Sequence, residues 1–540
     1  MLLLQGVTYA HSNKEILFSD IQLLINANDK VALIGNNGTG KSTLLKIMAG
    51  KLMPSPGTVK AMFQPYYVPQ LFGQYNHYTI AQALQIEEKL NALKAILNGD
   101  VTDTTLSQLN DDWTIEERCK AAFDYWDLSD LDLNQSMVTL SGGQKTRVLL
   151  AGIVIHEAEI VLLDEPSNHL DAAGRAMLYE YIKTTKHTLV VVSHDITLLN
   201  LLNKVYELSG DGITVYGGNY DFYKTQKSIE RDALQDDVKA KEKALRKAKE
   251  TERAAMERQQ KLDARGKKKQ EKAGLPTISM NTFRNNAEKS TSRIKQIHAA
   301  KVDAIADELY VLRKALPVVD QMKMAFQHSD LHKGKILITA NQINAGYGTE
   351  MLWREPLDLQ ILSGERIAIK GKNGSGKTTL VKIILGKMEP AIGNIIRNTG
   401  LTFGADLSAN NAIYIDQNYT LINNKLTVNE QVKQFNSGAL QEHEINIRLS
   451  RFLFTPEDWG KSCYMLSGGE KMRLILCCLT VSNKAPDMIV LDEPTNNLDI
   501  QNVEMLTAAL NEYKGTLLVI SHDEYFLKQI GVQRFIEVEV

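Results

Sequence analysis

Hydrophobic positions fall into two patterns along this chain of 540 residues. The first is a set of short, uninterrupted apolar runs: Val31-Ala32-Leu33-Ile34, Ile160-Val161-Leu162-Leu163, Leu189-Val190-Val191-Val192 and Met488-Ile489-Val490-Leu491. Runs of that length between polar or turn residues predict buried strands. The opening Met1-Leu2-Leu3-Leu4-Gln5 reads as a further strand; without a basic stretch or a long apolar core it does not read as a secretory leader. The second pattern is helical. Residues 224–270 lack proline, carry one late glycine, Gly266, and are rich in Ala, Lys, Glu, Gln and Arg, which favour helix. A helix of ~45 residues would reach about 65–70 Å. Gly274, Pro276 and the polar run 277–286 are expected to break it. Ile294, Ile297, Val302, Ile305, Leu309, Leu312 and Leu316 then recur mostly at spacings of three and four, which predicts one apolar seam. The expectation is an antiparallel helical hairpin with its tip near 273–287.

The residues just after each apolar run carry the chemistry. Lys30 to Ile34 leads into Gly35-Asn36-Asn37-Gly38-Thr39-Gly40-Lys41-Ser42 and a helix-compatible Thr43-Leu44-Leu45. This is a phosphate loop in its strand–loop–helix context. Glycines let backbone amides curl around phosphates, Lys41 reaches the outer phosphates, and Ser42 supplies a magnesium ligand. Gln70 is placed to meet the metal or the attacking water. Asp164 and Glu165 end an apolar strand, where adjacent carboxylates are costly unless a cation or water uses them. Asp164 suits contact to magnesium, and Glu165 suits a general base. His194 at the next strand tip is placed to touch the terminal phosphate. Tyr9, 32 residues before Lys41, is a candidate adenine stack, although strand tyrosines usually belong to the core.

One turn is superfluous to this set. Leu140-Ser141-Gly142-Gly143-Gln144 opens a helix with a serine and bare amides, an anion site in its own right. One nucleotide does not need two such loops from one domain. The turn is therefore expected to serve a neighbouring domain rather than its own. Asn168-His169-Leu170-Asp171 is read as an inter-domain turn.

All of this recurs. The second copy has Gly371-Lys372-Asn373-Gly374-Ser375-Gly376-Lys377-Thr378-Thr379, Gln417, Ser467-Gly468-Gly469-Glu470, Asp492-Glu493 and His522, with Tyr347 as the matching stack candidate. The lysines are 336 residues apart, the turn serines 326, the glutamates 328 and the histidines 328. Chance does not produce that agreement; it is duplication. The copies differ in that Gln70 to Ser141 spans 71 residues and Gln417 to Ser467 only 50. The first domain therefore holds an insert, placed near 87–113 and read as a small helical protrusion followed by a polar loop. The fold class is α/β: a nucleotide-binding domain at 1–222, a helical linker at 223–325 and a second nucleotide-binding domain at 326–540.

Net charge is −2, yet residues 231–300 carry 19 Lys and Arg against 10 Asp and Glu. Such a patch attracts phosphate backbones; a solvated helix face is the bland alternative. Met280 and Phe283 would add stacking or wedging against nucleic acid. The four cysteines show no C-x-x-C spacing, and Cys477-Cys478 lie in an apolar run, so buried thiols in a reducing compartment are expected. No apolar run approaches the ~18 residues of a membrane span. A cytoplasmic protein is expected.

These motifs resemble the ATP-binding cassette superfamily. Tandem cassettes with a long charged linker and no membrane span look like the ABC-F family, and the likeness covers the whole chain. It implies ATP and Mg²⁺ as cofactors, ATPase activity, and a monomer whose cassettes pair intramolecularly on two ATPs. Ser141, Gly142 and Gly143 would close the site of Lys377; Ser467, Gly468 and Gly469 would close that of Lys41. Family members bind the ribosome, with the linker reaching toward the peptidyl-transferase centre and tRNA, and either assist translation or protect ribosomes from antibiotics. The insert is smaller than the arm of the translation factors, which tilts the expectation to ribosome protection. Relatives that bind branched DNA do so through a C-terminal coiled coil, expected to be missing here because the chain stops at Val540. A DNA-structure ATPase and an energising subunit for a membrane transporter are the alternatives.

Overall fold

The computed structural model describes the chain apart from residues 11–15, 71–72, 211, 273–276, 316–331, 333, 348–349, 399–401, 403–410, 437–439, 483–484, 497 and 540. Side chains are also undescribed at 263, 266–267, 269–291, 294, 315, 347 and 350. Two compact units emerge: Met1–Tyr223 with Met322–Val540, and Lys224–Gln321.

Each apolar run is the middle of a parallel sheet. In the first cassette the strand order is Tyr66–Val68, Ile160–Asp164, Thr188–Val192, Lys30–Ile34, Lys204–Ser209 and Gly212–Tyr216; only the last is antiparallel to its neighbour. In the second it is Ala412–Ile415, Met488–Asp492, Thr516–Ile520, Arg366–Lys370 and Arg534–Glu537, all parallel. The runs are apolar throughout because both faces are covered. Alternate residues feed different cores: Ala32, Val161, Leu163, Leu189 and Val191 pack toward the helical layer, while Val31, Leu33, Ile160, Leu162 and Val190 pack against the antiparallel sheet Leu2–Ala10, Ile16–Ile25 and Thr58–Ala61. The second cassette splits in the same way, with Ile489 and Leu491 on one side and Met488 and Val490 on the other. In such a sheet the carboxyl ends of the strands form the ligand crevice. The phosphate-loop strand lies beside the histidine strand, and the Asp-Glu strand comes next, so all three motifs reach one edge.

The insert is partly built into the core of the first cassette. Glu87–Leu97 and Asp103–Leu109 are both helices, so the expected polar loop is partly helical. Leu90, Ala92, Leu93 and Leu109 are buried with Cys119, Phe123 and Trp126. Asp112 pairs with Lys89 and Arg118, each at 2.7 Å, and fastens the second half. All four cysteines are buried and free, and burial raises the Cys119 and Cys463 thiols to about 11.

The linker unit is built on helices Tyr220–Lys272, which it contains from Lys224 onward, and Thr277–Ala315, 53 and 39 residues long. The polar run 277–286, expected to break helix, is helical; the break itself falls on undescribed residues. Lys241 pairs with Glu308, and Glu242 with Arg313 at 2.6 Å, which sets the helices antiparallel. Leu309 and Val238 are buried, while Ile297, expected in the seam, is 60% exposed; Ile294 and Leu316 lie outside the described side chains. Among the described residues no helix is long and apolar enough to cross a membrane.

Gly152 tests the packing of the helical layer. It lies inside helix Gly142–Ile155, where glycine ordinarily costs ~1 kcal/mol against alanine. A Cβ there would collide with the Tyr66 hydroxyl, which donates to the Leu149 carbonyl at 2.9 Å. Gly152→Ala is therefore expected to destabilise the first cassette by ~1–3 kcal/mol, seen as a lower denaturation midpoint. A gain in stability would show that Tyr66 yields freely.

Candidate functional site

The phosphate loops are built from backbone that only glycine tolerates. Gly40 and Gly376 precede helices Lys41–Met48 and Lys377–Ile384 with φ of 95° and 86°, and neither helix start carries a side-chain cap. A Cβ on Gly40 would stand 2.6 Å from Leu17. The first helical amides are thus left for a ligand. Lys41 Nζ donates to the carbonyls of Gly35 and Asn36 at 2.8 and 2.9 Å. Lys377 Nζ donates to Gly371 and Lys372 at 2.7 and 2.9 Å. Burial lowers both ammonium groups, against the pull of the acids beside them.

Next to each lysine is a hydroxyl–carboxylate pair. Ser42 Oγ donates to Asp164 Oδ1 at 3.0 Å, and Thr378 Oγ1 to Asp492 Oδ2 at 3.3 Å. A second donor, not foreseen from the sequence, completes each set: Tyr67 Oη to Asp164 Oδ2 at 3.0 Å, and Tyr414 Oη to Asp492 Oδ2 at 3.1 Å. Each tyrosine stands three residues before its glutamine, Gln70 or Gln417, so aligning the two copies would have found it. Burial raises both aspartates, partly offset by these donors. Asp492 Oδ1 is buried without a hydrogen-bond partner.

The glutamates come next, in a left-handed backbone, with φ 52° at Glu165 and 47° at Glu493. Burial and the neighbouring aspartate push the carboxyls up to about 8 and about 7 respectively, at Glu493 against the pull of Arg175 and Lys377. His194 Nε2 approaches Glu165 Oε1 to 3.2 Å, but that oxygen has no aligned hydrogen bond; His522 Nε2 lies 3.5 Å from Glu493 Oε1 and 3.2 Å from Lys377 Nζ. Burial and the adjacent lysine lower both imidazoles to about 4, so they are neutral at pH 7.

Two cavities hold these groups. The one around Lys41, of about 360 Å³, is lined by first-cassette residues including Gly38, Ser42, Thr43, Gln70, Glu165 and His194. Leu17 lines it, and Tyr9 does not; Tyr9 packs on Phe18 at 6.2 Å between ring centroids. Tyr347 forms a two-residue strand with Gly346, and its side chain is outside those described. The cavity around Lys377, of about 410 Å³, is composite: Gly374, Gly376, Thr378, Thr379, Gln417, Asp492, Glu493 and His522 face Ser141, Gly142, Gly143, His169 and Arg175. Asn373 Nδ2 donates to the His169 carbonyl at 3.1 Å. The reverse crossing is made by Asp499 Oδ2, which accepts from the Asn37 amide at 3.3 Å. Ser467, Gly468 and Gly469 are not among the residues lining the Lys41 cavity.

The serine turns also do something for their own domains, contrary to expectation. Ser141 caps helix Gly142–Ile155 in a reciprocal box with Gln144, and Ser467 caps helix Gly468–Val481 with Glu470.

The donor set fits a hard divalent cation only in part. Among the described residues no three His, Cys, Asp or Glu side chains form a cage. A hydroxyl, a carboxylate and a glutamine leave room for phosphate and water oxygens, which is how magnesium is usually held.

The ABC transporter family profile matches residues 18–168 and 355–496, more than half the chain and part of each cassette. A protein named ABC transporter F family member 5 from Arabidopsis thaliana is 30% identical over 99% of this chain and 74% of its own length. The chain belongs to the ABC-F family. An uncharacterized ABC transporter ATP-binding protein of Bacillus subtilis, YfmM, is 29% identical over 96% of this chain and 94% of its own. A chain in a crystal structure described as the complex of archaeal ribosomal stalk protein aP1 and ribosome recycling factor aABCE1 shares the fold, with TM-score 0.60, 20% identity and coverage of 98% and 87%. This ABC-F chain is accordingly an ATP-binding ATPase with two cassettes.

Two outcomes check this geometry. Tyr67→Phe with Tyr414→Phe removes a donor from each aspartate and is expected to weaken Mg²⁺-ATP binding on the order of tenfold, measured by titration with a fluorescent nucleotide. Ser141→Ala is expected to lower first-cassette stability by ~1 kcal/mol without nucleotide; an unchanged denaturation midpoint would show that the cap is idle.

Proposed function

We propose that this ABC-F ATPase binds the ribosome through its basic linker and, gated by ATP, remodels the tRNA and peptidyl-transferase region, relieving antibiotics bound there. The observation that carries this reading is the charge separation. The linker's Arg246, Lys249, Arg253, Arg258, Lys261 and Arg265 are exposed, on a chain whose net charge is −2. Pairs such as Arg246–Glu250 and Arg253–Glu257 neutralise only some of them. A surface of that kind binds phosphate backbones by releasing counterions, so ribosome binding should weaken steeply with salt. The membrane and DNA alternatives leave either this surface or its position between the cassettes unused.

At each site the residues have separate roles. Lys41 and Lys377 bind the outer phosphates. Ser42, Gln70 and Asp164, or Thr378, Gln417 and Asp492, would hold magnesium, which would supply neutralisation of phosphate charge. Glu165 and Glu493 take a proton from water as it attacks the terminal phosphorus, yielding ADP and phosphate. Neutral His194 and His522 donate an N–H toward the terminal phosphate. Ser141 and Gly143, or Ser467 and Gly469, close over the nucleotide from the opposite cassette, so ATP favours apposition and hydrolysis reverses it.

Glu165→Gln with Glu493→Gln is expected to cut turnover at least about a hundredfold, while ATP-dependent co-sedimentation with ribosomes persists or strengthens. Unchanged turnover would refute the bases; binding that ignores ATP would refute the gating. The base works as carboxylate, and burial raises both glutamates, to about 8 and about 7. In the free enzyme the active form therefore grows as pH rises through 7 to 8, and kcat/KM is expected to climb across that window and level off above it. A profile already flat at pH 6 would contradict it.

A further inference from the structure

The two nucleotide sites differ by one buried cation. Arg175, in helix Ala172–Thr184 of the first cassette, is 8% exposed. It lines the cavity around Lys377, Glu493 and His522, all of the second cassette. Its guanidinium is anchored from its own side: Nη1 lies 3.6 Å from Asp195 Oδ2 and Nε donates to the Leu170 carbonyl at 3.3 Å. Tyr179, one turn on, donates to the same Asp195 oxygen. Across the cassette boundary the acids whose field it feels are Asp523 and Glu493. The 328-residue offset that relates the glutamates and histidines puts Val503 where Arg175 stands and Thr507 where Tyr179 stands. Val503 is buried in the second cassette's apolar core, and the Thr507 hydroxyl donates to the Val503 carbonyl. The acids themselves are duplicated, Asp195 with Asp523 and Glu165 with Glu493, whereas the cation is not.

We propose that Arg175 is a positioning residue supplied in trans to the site built on the second phosphate loop, that it holds Glu493 and the His522–Asp523 turn in hydrolytic register when the cassettes meet, and that site one, with Val503, has no such device. The inference rests on the reading of Glu493 as that site's base. Arg175 lines the cavity around Lys377 and not the one around Lys41. The two sites should then turn over at different rates, with Arg175 acting on kcat rather than on affinity.

The test uses the full chain in two backgrounds: Glu165→Gln, in which only site two turns over, and Glu493→Gln, in which only site one does. Arg175→Gln is expected to lower kcat on the order of tenfold in the first background with KM for Mg²⁺-ATP within about threefold, and to change kcat less than about twofold in the second. Arg175→Lys, which keeps the charge without the fork, is expected to recover part of the loss, and it carries the test alone if Arg175→Gln does not fold, through a loss confined to site two. Equal losses in both backgrounds, or a raised KM with kcat unchanged, would overturn the proposal. Turnover that persists in the Glu165→Gln, Glu493→Gln protein would instead overturn the bases, and this inference with them.

Discussion

Two adjacent carboxyl groups at the end of a strand buried on both faces are an unfavourable thing to build, and the rest of each site depends on how that cost is contained. The strands Ile160–Asp164 and Met488–Asp492 are buried throughout. Removing a charge from water favours its neutral form, so the acids rise while the neighbouring lysine and histidine fall. Hydroxyls from Ser42 and Tyr67 satisfy both oxygens of Asp164, whereas Thr378 and Tyr414 share one oxygen of Asp492 and leave the other unpartnered. The glutamates are left with one poorly partnered oxygen or a distant imidazole. A site so arranged holds its charges partly suppressed.

The same frugality governs how the cassettes meet. Among the described residues few polar contacts cross. Asn373 uses its side-chain amide and His169 its carbonyl. His169 stands in the left-handed region with φ of 66°. The glycines of the Ser-Gly-Gly turn keep the approach open: a Cβ on Gly143 would stand 2.9 Å from the His169 carbonyl.

Much of this was legible in the sequence because the informative residues sit where local rules apply. Apolar runs announced the strands, glycine spacing announced the phosphate loops, and the repeated offsets announced two copies. The features that escaped notice depend on three-dimensional neighbours. Tyr67 and Tyr414 look like ordinary strand aromatics until the aspartate of the adjacent strand is placed beside them. Leu17, not Tyr9, lines the first cavity, because the pairing of Leu2–Ala10 with Ile16–Ile25 turns Tyr9 against Phe18. The insert read as an excursion because its apolar residues are interleaved with polar ones in sequence, whereas the four that are buried converge only after folding. The polar run 277–286 is helical because Asn, Thr and Ser only weakly disfavour helix, and no proline or glycine lies within it.

Asp499 divides its labour between two masters. One oxygen accepts from the Asn502 amide at 2.8 Å and starts helix Ile500–Glu512; the other accepts from Asn37 in the opposite phosphate loop. If the cassettes part, the second oxygen exchanges a protein amide for water, while the first keeps its helix intact. Parting at this contact therefore leaves no torn secondary structure behind.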